Sequence, residues 1–355
     1  LDLFAGDYRQ LISPRSALRD LLKIERLFTD AIETVSLIRP DQNHQHYRLH
    51  FYSTQIHYLD EYIPILENLS LRVMDQVQFC LPIDGNQFFI KSFTIKPATE
   101  ASFSLSRTNK KLLALIQAVM THRVENDALN NLCVLSNLDW QAIEVLRTYR
   151  NYLLQLAHRT TRASVHHALL NNARVSCELF NYFEARFNPK PDWLDPVKRE
   201  EQGLFPIRLE ILSGIAAVTD INDDHILRTL FNLIDATVRS NYHKRRTSEE
   251  FFIAIKINSL GVIDMPVPRP WAEIYVHAFE MEGIHLRGGK ISRGGIRWSD
   301  RPDDFRTEIL GVMPTQISKN ALIIPTGSKG GFVLKKNGVQ QDPKQAGKTA
   351  YLKLM

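Results

Sequence analysis

The residues with the clearest chemical potential in this sequence are cations that stand beside glycines in its last quarter. Arg293 precedes a Gly-Gly pair, and Lys329 stands between Gly-Ser and Gly-Gly. A third cation, Lys319, follows Gln316 by three positions, which places both on one side of a helix. A cation flanked by glycines can approach a small anion closely, because no Cβ blocks the approach and backbone N–H groups are left free as donors. Such a site would suit a dicarboxylate.

Two other interpretations of this segment compete with a carboxylate site. Glycine plus lysine is also the composition of a phosphate loop, but the sequence contains neither Gly-x-Gly-x-x-Gly nor a complete loop ending in Gly-Lys-Ser/Thr. Plain turn glycines with surface lysines would be the default for one such element, and this explanation is weaker for three within about forty residues. None of the 12 histidines has a partner at metal-ligand spacing, so no metal site is predicted.

The glycine-rich region marks a domain that must position these side chains. Eleven of the 16 glycines lie between residues 283 and 347, so the backbone there must turn tightly or approach a ligand. Just before them, alternating apolar residues at 251–257 and 274–278 predict two strands. We therefore predict a separate domain at residues 246–355.

Helical periodicity dominates the middle of the chain, residues 106–245. One apolar stripe runs from Leu112 to Met120. A later helix from Asp223 is expected to bury Leu227, Leu230 and the residues that follow as far as Val238. This region is predicted to be a helical domain or linker.

Residues 1–105 combine helices and strands. Ser13-Pro14 is a good helix start, and alternation from Tyr47 predicts a strand that is followed by another amphipathic helix. Two further strands are joined through Asp84-Gly85, a strong hairpin signal. The predicted element order is βαββ.

Composition excludes several classes of protein. The net charge of +5, from 44 Lys+Arg against 39 Asp+Glu, does not imply nucleic acid, and the basic cluster at 243–246 is expected at the surface. The absence of an apolar run of about 18 residues predicts a soluble protein without membrane contact. Cys80, Cys133 and Cys177 are predicted to be reduced, buried thiols, because their number is odd and no CxxC occurs; this favours the cytoplasm.

Three motifs carry a resemblance to a known family. They occur in the order basic residue-Gly-Gly-Ile-Arg, Gln-x-x-Lys-Asn-Ala and Pro-x-Gly-x-Lys-Gly-Gly. This order resembles the substrate-domain signature of the glutamate, leucine, phenylalanine and valine dehydrogenases. The longer sequence at residues 294–311 is similar to the corresponding segment of the large NAD-dependent glutamate dehydrogenases in particular. The resemblance is close over about residues 268–336, and the remainder resembles their long N-terminal regulatory extension more loosely.

The resemblance implies a role for each of the four residues singled out above. Arg293 falls where the family has a lysine that holds one substrate carboxylate, and an arginine would bind it as a bidentate fork. Lys319 falls at the lysine that holds the α-carboxylate, with Gln316 one helical turn before it. Lys329 falls at the catalytic lysine, whose amine must be neutral or nearly so to activate water. Arg297 is instead expected to form a local ion pair with Asp300.

The resemblance also implies an activity and a cofactor. The activity is oxidative deamination of L-glutamate to 2-oxoglutarate and ammonia, with NAD as the hydride acceptor. The family's catalytic aspartate and its Rossmann domain are absent from these residues and are expected downstream of Met355, so that residues 1–355 are a fragment, inactive alone. The implied fold class is a multidomain α+β protein in which residues 246–355 begin an α/β substrate-binding domain.

The regulatory extension implied by the resemblance leaves a second function open. The βαββ unit is expected to be ACT-like, and it either senses an amino-acid effector or serves packing in a homo-oligomer. The alternative to an enzyme is a non-catalytic amino-acid-sensing regulatory or scaffold protein that keeps a dehydrogenase-like fold.

Overall fold

The architecture is given by a computed structural model. It describes residues 6–30, 32–38, 46–83, 85–98, 105–156, 160–190, 194–319, 325–335 and 342–355. The chain forms two compact units, Leu1–Trp140 and Gln141–Met355. In the described part of the chain, no helix combines the length and the apolar character that crossing a bilayer requires.

The first unit is a four-stranded antiparallel sheet with helices. Its elements are α1 (Gly6–Leu11), α2 (Pro14–Asp30), β1 (Thr34–Ile38), β2 (Tyr47–Ser53), α3 (Leu59–Asn68), β3 (Leu71–Ile83), β4 (Asn86–Pro97), α4 (Leu105–Met120) and α5 (Leu132–Ser136). The strand order is β1-β2-β4-β3. The predicted βαββ run is confirmed as β2-α3-β3-β4, and β1, which pairs with β2, was not predicted.

Helices cover both faces of this sheet. On one face, Ile24 of α2 packs in a cluster with Tyr52 and Ile90. On the other, the ring of Tyr62 in α3 lies 4.5 Å from that of Phe51 and 5.7 Å from that of Phe93. Because successive strand side chains point to opposite faces, both sides of β2 and β4 are largely buried.

The second unit combines a helical layer with a larger sheet. Its elements are α6 (Trp140–Leu156), α7 (Arg162–Asn171), α8 (Ala173–Phe187), α9 (Pro196–Lys198), α10 (Phe205–Ala216), α11 (Ile221–Asp235), β5 (Thr237–Ser240), α12 (Tyr242–Arg245), β6 (Ile253–Asn258), β7 (Ala272–His277), β8 (Met281–Arg287), β9 (Ser292–Arg293), β10 (Ile296–Trp298), α13 (Phe305–Lys319), β11 (Thr326–Leu334) and α14 (Pro343–Leu354). The predicted strands at 251–257 and 274–278 are confirmed as β6 and β7.

The large sheet is mixed, and the glycine-rich quarter supplies its parallel part. The strand order is β10-β11-β8-β7-β6-β5, with β9 also pairing β11. Strand β11 runs parallel to β9 and β10 but antiparallel to β8. The connection from β10 through α13 to β11 is therefore a βαβ crossover.

Different helices cover the two faces of the large sheet. One face, called the α13 face here, is covered by α13, which packs along β11, and by α6. The other face packs on α14, where Ala350 lies in a cluster with Met281 and Phe332. Alternation along β11 places Lys329 on the α13 face, because Phe332, an odd number of residues away, lies on the other.

Two predictions about the middle region need correction. The helix expected from Asp223 begins at Ile221, and Asp220 caps it by accepting a hydrogen bond from the Asp223 N–H at 2.9 Å. Val238 is not part of that helix: it lies in β5, which pairs with β6, and 48% of its surface is exposed. The division into regions 1–105, 106–245 and 246–355 stays a prediction, while α6 to α11 and the large sheet lie in one unit.

The cysteines are all free, but only one is buried as predicted. Cys133 is buried, Cys177 is half-buried and Cys80 is exposed. Cys80 lies on the outer strand β3 between the buried Phe79 and Leu81, so alternation turns its side chain away from their core.

Candidate active site

Strand β11 brings Lys329 to the centre of the glycine-rich segments. The side chain of Lys329 is half-buried, and its Nζ lies beside Gly295, where a Cβ would be 3.8 Å away. The Gly330 N–H donates to the Gly295 carbonyl at 3.0 Å. The first and third motifs predicted from the sequence are therefore in direct contact.

Arg293 reaches the same place through strand pairing. It lies on β9, directly opposite Gly327 of β11. Cross-strand partners project to the same face of a sheet, and Gly327 shares its face with Lys329 because the two are two residues apart. The exposed Arg293 side chain therefore projects to the side of the sheet that carries Lys329.

The last turns of α13 bring in the second motif. A Cβ on Gly327 would lie 2.5 Å from the carbonyl carbon and oxygen of Gln316, so this glycine allows the helix backbone to touch the strand. Gln316 is half-buried there, and Lys319 is exposed in the final turn of the helix. Asn320 and the residues up to 324, which include the rest of the second motif, lie outside the described residues.

Gly294 sets the position of the turn between β9 and β10. A Cβ there would lie 1.7 Å from the carbonyl oxygen of Ser328, far inside any contact distance, so only glycine fits. The Oγ of Ser328 is buried without a hydrogen-bond partner among the described residues.

The charges around this end of β11 are predominantly positive. Within the described ranges, no carboxylate forms an ion pair with Arg293, Lys319 or Lys329. Arg287, by contrast, is used structurally: it donates to the Ser292 Oγ at 3.0 Å and to the Lys290 carbonyl at 2.7 Å, which holds the turn before β9. Three cations without acidic partners can attract a small dianion.

Arg297 was predicted to form an ion pair with Asp300, but it pairs with Glu308 instead. Its Nε lies 2.7 Å from the Glu308 Oε1, and the Ser299 hydroxyl donates to the other oxygen of that carboxylate at 2.5 Å. Glu308 lies in the first turn of α13, whose packing on β11 places it next to β10. This carboxylate ties the Gly-Gly-Ile-Arg-Trp-Ser segment to α13.

A buried ion pair that sequence reasoning missed also holds the first turn of α13. The guanidinium of Arg306 binds the Glu273 carboxylate of β7, with Nε to Oε2 at 2.9 Å and Nη2 to Oε1 at 2.5 Å. The two side chains are 1% and 0% exposed. The available signal was a glutamate in the mostly apolar strand Ala-Glu-Ile-Tyr-Val-His, because a buried carboxylate must be paired.

The crossover from β10 to α13 lacks the features of a dinucleotide-binding loop. In the crossover from β10 to α13, the segment 299–304 contains three aspartates and no glycine, whereas a pyrophosphate needs glycines and free N–H groups at the helix N-terminus. Carboxylates at that position would repel a pyrophosphate.

Comparisons with known proteins agree with the motifs. Residues 210–355 match the model of the bacterial NAD-glutamate dehydrogenase catalytic domain, and residues 124–189 match the model of glutamate dehydrogenase helical motif 3. The chain is 34% identical over 341 residues to the NAD-specific glutamate dehydrogenase of Halomonas elongata, and 33% identical to that of Pseudomonas aeruginosa. The protein of the same name from Mycobacterium tuberculosis is 32% identical.

These alignments cover 93 to 94% of the chain but 21% of each relative. The chain thus spans about a fifth of the length of the curated relatives it matches. The resemblance predicted from the sequence is confirmed: the chain is similar to NAD-specific glutamate dehydrogenases, and its residues 210–355 match the model of their bacterial catalytic domain.

Proposed function

We propose that the protein containing this chain oxidatively deaminates L-glutamate to 2-oxoglutarate and ammonia with NAD as the hydride acceptor. The observation that carries this proposal is the group of cations without acidic partners around the start of β11. Glutamate has two carboxylates, and each needs a cation when it leaves water. A branched-chain amino acid would need an apolar pocket in place of the second cation.

Each of the four predicted residues has a proposed task. Lys319, with Gln316 one turn before it, binds the α-carboxylate of glutamate. Arg293 binds the side-chain carboxylate as a bidentate fork. Lys329, on the α13 face, serves as the catalytic amine that activates water during formation and hydrolysis of the imino acid.

NAD is proposed to bind outside residues 1–355. The three aspartates before α13 argue against a dinucleotide at the crossover from β10 to α13. We accordingly expect residues 1–355 alone to show no glutamate-dependent reduction of NAD.

Residues 1–105, within the first unit, are proposed to form an ACT-like regulatory domain. The order β1-β2-β4-β3 matches that of a βαββαβ fold whose last helix and strand, here α2 and β1, have moved to the front of the chain. Its helices lie on both faces rather than one, which is a departure from that fold. Binding of an amino-acid effector, homo-oligomeric assembly and a cytoplasmic location remain predictions.

Replacement of Lys329 tests the proposal against a non-catalytic scaffold. In the full-length protein, Lys329→Ala should abolish glutamate-dependent formation of NADH, while Lys344→Ala, an exposed lysine of α14, should leave it unchanged. Full activity of Lys329→Ala would refute the catalytic role. A wild-type protein without activity that still binds an amino acid would favour the scaffold.

A further inference from the structure

Helix α6 packs on the α13 face with polar side chains. Of its 17 residues, 14 are buried, and the buried set includes Tyr152 and Gln155 as well as charged residues near its start. Helices normally use apolar side chains against a sheet, because a buried polar group must be satisfied. The contacts of Tyr152 and Gln155 therefore need an explanation.

Tyr152 completes the coordination of the buried Glu273 carboxylate. Its hydroxyl donates to the Glu273 Oε2 at 2.8 Å, the same oxygen that accepts from the Nε of Arg306. Burial, and then the negative charge of Glu273, keep the pKa of Tyr152 well above its usual value. The hydroxyl thus stays protonated and remains a donor.

Gln155, one turn further along α6, binds the backbone at the start of α13. Its Oε1 accepts from the Arg306 N–H at 3.2 Å. Its Nε2 donates to the carbonyls of Pro302 and Asp303 at 2.9 and 3.3 Å. Tyr152 and Gln155 together hold both the side chain and the backbone of the first turn of α13.

The other end of α13 carries the substrate-binding residues of the proposed site. The helix has 15 residues, which at 1.5 Å per residue is about 22 Å. A small rotation or shift at its first turn therefore moves Gln316 and Lys319 in its last turn. Lys329 lies on β11 and is not held by this contact.

We propose that Tyr152 and Gln155 are positioning residues for the substrate-binding end of α13. They lie in the segment that matches helical motif 3, residues 124–189, and outside the catalytic-domain match of 210–355. The helical motif thereby contributes to the geometry of the active site without contacting the substrate. This inference rests on the proposed glutamate dehydrogenase function.

A matched pair of tyrosine substitutions in the full-length protein tests it. Tyr149 lies one turn before Tyr152 in the same helix and is equally buried. Its hydroxyl donates to the Thr237 hydroxyl at 2.9 Å and not to Glu273, the carboxylate that binds α13. Tyr149→Phe and Tyr152→Phe each remove one buried hydrogen bond, and both should lower the melting temperature. For Tyr152→Phe we also expect the KM for glutamate to rise at least about fivefold, with a smaller change in kcat.

The outcomes separate this inference from the proposed function. If wild-type protein is active and both variants keep the wild-type KM, Tyr152 has only a structural role and the inference is wrong. If wild-type protein shows no glutamate-dependent NADH formation, the proposed function itself fails. Gln155→Met guards against misfolding of Tyr152→Phe: it should raise the KM in the same way, and an unchanged KM in this folded variant would overturn the inference.

Discussion

Replacement of Gly294 by alanine tests how tightly the proposed site is built. A Cβ at this position would lie 1.7 Å from the Ser328 carbonyl oxygen, whereas ordinary contacts begin at 3.4 Å. The turn between β9 and β10 would have to move by about 1.7 Å, and forcing such a shift in a packed region costs about 1–3 kcal/mol. The neighbouring Gly295 would move with it, away from Lys329.

The expected loss of activity is larger than the loss of stability. Misplacement of reacting groups by about 1 Å can cost about 100-fold in rate. We therefore expect Gly294→Ala to lower kcat/KM for glutamate by about 100-fold in the full-length protein. The free energy of unfolding, measured by urea denaturation, should fall by about 1–3 kcal/mol.

Gly311→Ala provides the control. Gly311 lies within α13, and a Cβ there would meet nothing within 4 Å. Alanine is the better helix former by up to about 1 kcal/mol, so this variant should be as stable as wild type or more stable, and active. Wild-type stability and kcat/KM in Gly294→Ala would refute the argument that the turn is held against Ser328.

Two further predictions concern stability. Arg306→Met leaves the carboxylate of Glu273 buried without a cation, so the free energy of unfolding should fall by about 3–5 kcal/mol. Loss of the exposed ion pair of Arg228 with Asp224 should lower it by less than about 1 kcal/mol. Equal effects of the two changes in urea denaturation would contradict the role given to burial. Burial lowers the pKa of His57, but its hydrogen bonds with Glu33 and Glu61 raise it by more, so the pKa lies above its usual value of 6.5. Protonated His57 then stabilises the fold fully below about pH 6.5, and this stabilisation is lost as the pH rises through the folded-state pKa of His57. His57→Gln should therefore lower the melting temperature more at about pH 6 than at about pH 9. An equal decrease at both pH values would show that protonated His57 is not the source of the stabilisation.

Local signals were sufficient for much of the fold. The pairing of β3 with β4 and the strands at 251–257 and 274–278 follow from turn chemistry and alternation, which act over a few residues. Asp84, on which the hairpin prediction also rested, lies outside the described residues. Strands β1 and β5 were missed because each is only five or four residues long and is defined by its partner. Val238 continues the helical spacing of α11, yet it lies in β5, whose neighbouring residues Thr237 and Arg239 pair with β6.

The candidate site shows the same division between local and long-range information. Motif order selects Arg293, Gln316, Lys319 and Lys329, and their roles stay predictions. Strand pairing and helix packing bring Arg293, Gln316 and Lys329 to one end of β11. The partner of Arg297 was misassigned because nearness in sequence favoured Asp300. Folding of the βαβ crossover brings Glu308 closer, and no local pattern contains that information.

The contact between α6 and the large sheet also bears on how this protein can be divided. Sequence families separate residues 124–189 from 210–355, as if each could be cut out and studied alone. A fragment beginning at residue 210 would lack Tyr152 and Gln155 and would open the side of the sheet that carries Glu273 to water. We expect this fragment to expose apolar surface and to aggregate. The segment defined by the sequence family and the segment that folds independently therefore have different boundaries. A piece able to keep its shape would have to start before α6.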